Sequence, residues 1–514
     1  MKLPLLMESK ARIWIVLSGI CLAIFAVAFN TTAVMNALVA LSNELHLSPT
    51  SLQWIVNAYL LACASFIVVG GQLGDMYGRR KIFLMGALGF IFSSLLIALS
   101  HTPTLIIIGR ALQGLSAAII TPGTLAIIKV AFSGEKERYA VGAWTASIGL
   151  GFAFGPVISG LFTTYISWRD IFWTNIPIMC VAIAIIYLFA RKSRGPKENT
   201  KLDLWGLVLL LSGLLPFTLG LVEGNVWGWS SLTTLILLVG GGILLILFWI
   251  VEHAIKSPLV DFYHFREKLF IAGNVGIAAS IFTLLGILYF FNTFIQNPIL
   301  FNYSPIEAGI AILPLSMAMF VMSLVTGSIT KHIGYRIPMV IALLIIAVAT
   351  YLLHNINVHS TYSDMWLPLL LFGIGVGVSM PCSPSLGMSA LPIEKAGEGS
   401  GIINTVNYYS GVLCVAIGTL FSIYGGRNAL QGSLTTHKLS PSLIDKIDKV
   451  IVGHQGSLQA LIAEAGSTTK TTIIHTAQKA IVHSFSTVML MCMVVALLGA
   501  VAIFFIVTKK KVSS

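Results

Sequence analysis

Charge is scarce in this chain. Only 10% of its 514 residues are Asp, Glu, Lys or Arg, against about 25% in an ordinary soluble domain, and so thin a polar coat excludes a soluble enzyme, a disordered chain and a collagen. Cysteine is also sparse. The six cysteines are scattered through apolar runs, which gives neither a disulfide framework nor the close Cys/His spacing of a structural metal site. His253, His264, His354 and His359 fall at run ends and in loops without metal-like companions, so no metal is expected. The chain has no G-x-x-x-x-G-K-[ST] loop, no H-E-x-x-H and no G-x-S-x-G, which leaves ATP-driven pumping and hydrolytic chemistry without a basis and implies no cofactor. The last scarcity is local: no Asp or Glu lies in the middle of any apolar run. Glu44, Asp75, Asp203, Glu223, Glu252, Glu307, Asp364, Glu394 and Glu398 stand at run ends or in loops.

What is abundant is apolar length. With 56% hydrophobic residues, 47 glycines and a mean hydropathy of +0.91, the chain reads as an all-α integral membrane protein, because a helix needs about 20 mainly apolar residues to span the hydrocarbon core. Fourteen such runs fall near 12–40, 52–72, 82–100, 104–128, 139–162, 171–190, 204–222, 231–252, 269–294, 306–330, 336–353, 365–389, 400–424 and 484–508. The first has no early A-x-A-like cleavage site and reads as a retained span. The net charge of +12 would suggest nucleic acid in a soluble protein. Here its placement explains it: Lys2, Lys10 and Arg12, then Arg79 to Lys81, then Lys129, Lys136 and Arg138, and so on to Lys509 to Lys511, fall on alternate loops, whereas the short loops between them hold only Arg169. The positive-inside rule then puts both termini in the cytoplasm and removes nucleic acid as a partner. The long outer segment 426–482 is expected to carry a short amphipathic helix, capped by Ser440 and ending near Gly453.

Three motifs carry mechanism. Gly71, Asp75 and Gly78, followed by Arg79, Arg80 and Lys81, predict a tight inner turn in which Asp75 faces a helix N-terminus or an arginine, a clasp that can open and close. Arg110 stands about two turns into run four beside Gln113, and an intramembrane arginine must face the bundle interior. In run five Gly142, Gly151, Gly155-Pro156 and Gly160 supply close helix contact and a proline bend. The first spacing strongly resembles the inner-loop motif of the major facilitator superfamily, and the third resembles the motif of its antiporters. Asn30-Thr31-Thr32, Asn36, Gln53-Trp54, Tyr59 and Trp168-Arg169 extend the likeness, which is densest over residues 30–180 and weaker to about 425, to the fourteen-spanner drug:proton antiporter family. Gly327, Gly334 and Arg336 look like a decayed second copy of the first motif, with Lys331 where the Asp would be.

The resemblance implies two six-helix lobes, 1–195 and 263–514, with two inserted helices in 196–262. It also implies alternating access around a central cavity in a bacterial inner membrane. A small-molecule substrate, a proton as coupling ion, the lipid bilayer and a monomeric state are the partners and assembly expected. The activity expected is efflux of a small amphipathic compound. An importing or uncoupled facilitator, or a signalling or assembly protein on a transporter scaffold, are the alternatives. The candidate cavity residues are Asn30, Asn36, Trp54, Tyr59, Arg110, Gln113, Asn404, Asn407 and Tyr408, with Glu223 and Glu307 as end-of-helix acids for coupling. One departure matters: the family's first span usually carries an Asp where this chain has Asn30, and an amide cannot titrate in the accessible range. That argues against a lipophilic dication as substrate and for a neutral polar or anionic one.

Overall fold

The computed structural model describes residues 9–132, 135–191, 203–255, 258–260, 262–391, 396–437 and 467–507. The expected amphipathic helix near 440–453 and the side chain of Asp75 lie outside them. Among the described residues, fourteen helices are long and apolar enough to cross a membrane. In chain order they are α1 (Ser9–Leu45), α2 (Pro49–Tyr77), α3 (Arg79–Ala98), α4 (Pro103–Ala131), α5 (Glu135–Tyr165), α6 (Asp170–Phe189), α7 (Leu204–Trp227) and α8 (Leu232–Ala254), then α9 (Lys268–Ile295), α10 (Leu313–Ile333), α11 (Arg336–His354), α12 (Trp366–Met388), α13 (Ala396–His437) and α14 (Ser467–Ile506).

Polar residues set the helix starts. Ser48 and Thr102 each accept a backbone N–H three residues on, with proline at the next position, and Ser231 and Asp203 make the same acceptor cap, without the proline, for α8 and α7. α9 is continuous but takes a π-helical turn at Ile287–Phe291. The run expected at 306–330 is two pieces: a short helix Pro305–Ala311, begun by a Ser304/Glu307 capping box, and α10 after a break at Ile312.

Helix pairings repeat from one lobe to the other: α1 with α5 and α6, α2 with α4, and α3 with α4 and α6 are matched by α9 with α13 and α14, α10 with α12, and α11 with α12 and α14. The repeat reaches the contact points. A Cβ on Gly114 of α4 would sit 2.3 Å from the carbonyl oxygen of Tyr59 on α2, and a Cβ on Gly373 of α12 would sit 2.2 Å from that of Leu315 at the matching place on α10. Only glycine allows that approach. α7 and α8 form the inserted hairpin, with α7 docked on both α2 and α13 and therefore on both lobes. α8 exposes Leu232, Ile236, Val239, Ile243 and Ile250 at helical spacing, a stripe suited to lipid.

With fourteen successive spans, the start of α1 at Ser9 and the end of α14 at Ile506 fall on one face, here called the terminal face. On the opposite face Glu44 accepts from Trp168 Nε1 at 2.6 Å and pairs with Arg169 at 2.5 Å, while Arg169 also donates to the Ser100 carbonyl at 3.1 Å. These bonds tie the three opposite-face turns of the first lobe together.

Candidate functional site

A cavity of about 460 Å³ lies between the lobes. Four helices of each lobe wall it at equivalent positions: α1, α2, α4 and α5 on one side, α9, α10, α12 and α13 on the other. Ile24, Leu125, Phe152, Ile281, Leu285 and Met319 give an apolar wall, and Thr31, Thr121, Trp144, Asn404, Asn407 and Tyr408 give scattered polar points. None of the lining residues is charged. Trp144 is held in place by donating to Thr124 Oγ1 at 2.9 Å. Asn404 donates to the Ser400 carbonyl at 2.8 Å, whereas Asn407 Oδ1 is buried without a hydrogen-bond partner.

The lining reaches Met388, the last residue of α12, and Ser400 in the first turns of α13, so the cavity runs toward the terminal face. At the opposite face the lobes are shut. Asn36 of α1 donates to the carbonyls of Pro156 on α5 at 2.7 Å and Pro305 at 2.9 Å, and Gln296, the residue after α9, donates to the Asn36 carbonyl and side-chain oxygens at 3.1 Å. A Cβ on Gly160 would come within 2.4 Å of the Pro305 oxygen, and one on Gly309 within 2.5 Å of the Pro156 oxygen. The glycine motif of α5 thus has separate jobs along its length: Gly151 and Gly155 seat against α1, Gly160 seats against the second lobe, and Gly142 meets nothing within 4 Å.

Arg110 is 1% exposed and does not line the cavity. Its Nε donates to the Ile55 carbonyl at 3.0 Å, its Nη1 donates to Asn30 Oδ1 at 2.5 Å and Gln113 Oε1 at 2.8 Å, and the guanidinium lies 4.2 Å from the centre of the Tyr59 ring. Gln113 passes the network on to Ser94 at 2.9 Å, where Asn175 also donates at 3.4 Å. No carboxylate pairs with Arg110 among the described residues. Five helices of the first lobe are therefore knotted around one cation by neutral oxygens and a π face. Its route to the cavity is indirect: Tyr59 meets Thr31 Oγ1 at 3.4 Å, and Thr31 is a lining residue.

The candidates therefore divide. Asn404, Asn407 and Tyr408 line the cavity, whereas Asn30, Tyr59, Arg110 and Gln113 form the buried knot and Asn36 belongs to the closed seal. Trp54 donates to Glu223 at 3.2 Å, joining α2 to α7 away from the cavity. Glu307 is exposed in its capping box, where the backbone N–H and hydroxyl of Ser304 hold its carboxyl below the ordinary carboxylate range. None of these eight is a lining residue: helical depth, which sequence shows, does not give the direction a side chain faces. The lining also includes Thr121, Trp144, Phe152 and the Pro381/Pro384 pair of α12, which sequence reading passed over. A proline pair inside an apolar run was the available signal.

The inner turn is a single residue. α2 runs to Tyr77, Gly78 takes φ +99°, and α3 begins at Arg79. Arg79 donates to the Ala126 carbonyl at 3.0 Å, and Arg80 bonds the Tyr187 carbonyl and covers its ring at 5.2 Å. Lys81 is exposed, and a Cβ on Gly71 would meet Pro122 at 3.7 Å, an ordinary contact. The second lobe keeps the arginine part: Gly334 has φ +73°, and Arg336 bonds the Phe504 carbonyl at 2.7 Å and covers its ring at 4.9 Å.

This geometry has counterparts. The chain is similar to the tetracenomycin C resistance and export protein of Streptomyces glaucescens, 31% identical over 79% of this chain and 76% of that one, and to the puromycin resistance protein of Streptomyces alboniger, 31% identical over 84% and 85%. The methyl viologen resistance protein SmvA of Salmonella typhimurium is 30% identical over 78% of this chain and 80% of its own. In fold it is similar to an inward-facing, unoccupied bacterial homologue of the lysosomal transporter Spinster, at TM-score 0.65 and 13% identity over 98% of this chain and 100% of that one. It is likewise similar to the inward-open xylose transporter of E. coli, at 0.59 and 12% over 98% of each. Residues 20–414 match the family model described as the Major Facilitator Superfamily. With its repeated six-helix lobes, its cavity between them and this match over most of its length, the chain belongs to the major facilitator superfamily.

Proposed function

We propose that the protein is a secondary active exporter of a small, uncharged, amphipathic and partly aromatic compound, working by alternating access and driven by a proton gradient in a bacterial inner membrane. The terminal face is then cytoplasmic, and the arrangement described above is the state that loads. The observation that carries this reading is the cavity wall: aliphatic and methionine side chains, the aromatic side chains of Trp144, Phe152 and Tyr408, a few hydroxyls and amides, and no charge. Such a wall pairs with apolar surface and a few hydrogen-bonding groups and leaves an ion without a counter-charge. The named roles of the relatives, resistance and export of antibiotics among them, support outward transport. The buried place of Arg110 withdraws the reason for preferring an anion.

A second reading, an uncoupled facilitator, is favoured by one observation: Asn30 stands where a titrating acid would, and the described lining holds no carboxylate. Resistance and efflux assays in cells lacking other exporters test the site. Trp144→Ala and Phe152→Ala, which remove stacking surface from the wall, are expected to reduce efflux of an uncharged aromatic compound about tenfold, taking roughly 1–1.5 kcal/mol per lost aromatic contact. Unchanged efflux in both variants at equal expression overturns the assignment of the cavity.

A further inference from the structure

The inserted hairpin closes on two acids that lie away from the cavity, Glu252 buried and Asp203 half-buried. Asp203 caps α7 through Oδ1, which accepts from the Gly206 N–H at 2.8 Å, and Glu252, 3% exposed near the end of α8, accepts the Val260 N–H through Oε2 at 2.8 Å. Each carboxyl has one further oxygen, Asp203 Oδ2 and Glu252 Oε1, buried and without a partner. These two oxygens converge: they lie 2.4 and 2.2 Å from the point where a Cβ on Gly206 would sit. No lysine or arginine pairs with either among the described residues. His253 is turned toward the Trp249 carbonyl at 2.8 Å and stacks on Phe262, His264 packs edge-on to Phe270, and Arg266 covers Tyr263.

Two ionised carboxylates are acceptors only, and burying them face to face without a counter-ion is prohibitive. A hard metal cation asks for six or more oxygens, and no group of three ligating side chains exists among the described residues. A single proton satisfies both oxygens at once, one carboxyl donating to the other. We propose that Asp203 and Glu252 together hold one proton, and that this proton clasps the start of α7 to the end of α8 and, through the Val260 N–H, to the segment that leads into the second lobe. When the proton leaves, the two carboxylates repel and the connection between hairpin and second lobe loosens. The site is a proton-operated latch on the lobe linker, and it stands independently of what the cavity carries.

Infrared spectroscopy and amide exchange on the full-length protein in lipid test it without a substrate. At about pH 7, where water-exposed carboxyls with pKa near 4 are ionised, the wild type is expected to show the carbonyl band of a protonated carboxyl, lost in Glu252→Gln and in Asp203→Asn. Exchange at the Val260 amide, corrected for its intrinsic pH dependence, is expected to rise several-fold as pH increases in the wild type. In Glu252→Gln, whose amide keeps a permanent donor, exchange is expected to stay flat. Absence of the band in the wild type overturns the proposal, as does a band unchanged by both variants or protection that follows sodium concentration instead of pH. The wild-type spectrum decides even where a variant does not fold.

Discussion

At the scale of single residues, Arg110 decides most. It is a buried cation whose described partners are two amide oxygens, one carbonyl and a tyrosine ring. Asn30→Asp would replace a neutral acceptor with a charged one and remove an amide nitrogen that has no partner. Charge-assisted hydrogen bonds contribute about 1 kcal/mol more than neutral ones, so this variant is expected to raise the thermal unfolding midpoint in detergent, and a lowered midpoint contradicts the account. Arg110→Ala leaves Asn30 Oδ1 and Gln113 Oε1 without their donor and is expected to cost about 3 kcal/mol, read as a lower midpoint and reduced yield. Glu307 gives a pH signature. Its carboxyl is held below its unfolded value by Ser304, so its contribution is present above the unfolded pKa and fades as pH falls through the folded one. Amide exchange over 304–311 is expected to quicken on acidification in the wild type and to be quick and pH-independent, after intrinsic correction, in Glu307→Ala. Sequence gave the depth of Arg110 and its need for an interior partner. It does not give the azimuth, which depends on how α1, α2 and α4 cross and which turns Arg110 into the knot and away from the cavity.

At the scale of helices, all fourteen runs became spans because length and hydropathy act locally and need no partner. Two features depart from those runs. The break at Ile312 falls just before Pro314, which lacks the N–H needed to continue the preceding turn and suits the first turn of α10, whereas nothing in the sequence marks the π-helical turn in α9. The turn at Gly78 was legible as tight, though its single-residue form was not. At φ +99° and ψ +123° the backbone sits where essentially only glycine is comfortable, and Gly78→Ala is expected to destabilise by about 1–3 kcal/mol. The α5 motif offers a graded test. Gly160→Val would drive a branched side chain into the Pro305 carbonyl and hold the opposite-face seal apart, while Gly142→Ala meets open space and is expected to be neutral. Labelling of a cysteine placed on that seal should increase in the first variant and match the parent in the second. Equal labelling in both contradicts the role given to the seal.

At the scale of the molecule, two repeated lobes meet where α5 packs on α10, with Phe320 against Gly149, and at three further places. Near the terminal face α2 meets α13, with Thr405 donating to the Ala64 carbonyl at 3.1 Å. At the opposite face α1 and α5 meet the Pro305 segment. α7 bridges both lobes from the side. A rocking motion that opens the opposite-face seal must break the Asn36 and Gln296 bonds and slide Gly160 off Pro305, contacts few enough to exchange for others in an outward-open state. Composition and motifs made the architecture readable in advance. The chemistry of the cavity was not, because it is assembled from eight helices whose lining faces only their packing defines.

The central claim is coupled export of an uncharged amphipathic compound, and flux in sealed proteoliposomes tests it most directly. Internal pH is followed with a reporting dye while an imposed proton gradient is challenged with cationic, neutral and anionic lipophilic compounds. The account predicts proton movement that depends on the neutral aromatic compound, is matched by its flux, and is weakened by Trp144→Ala. Flux of that compound with no proton movement would establish the facilitator reading, and flux confined to cationic compounds would contradict the account of the cavity.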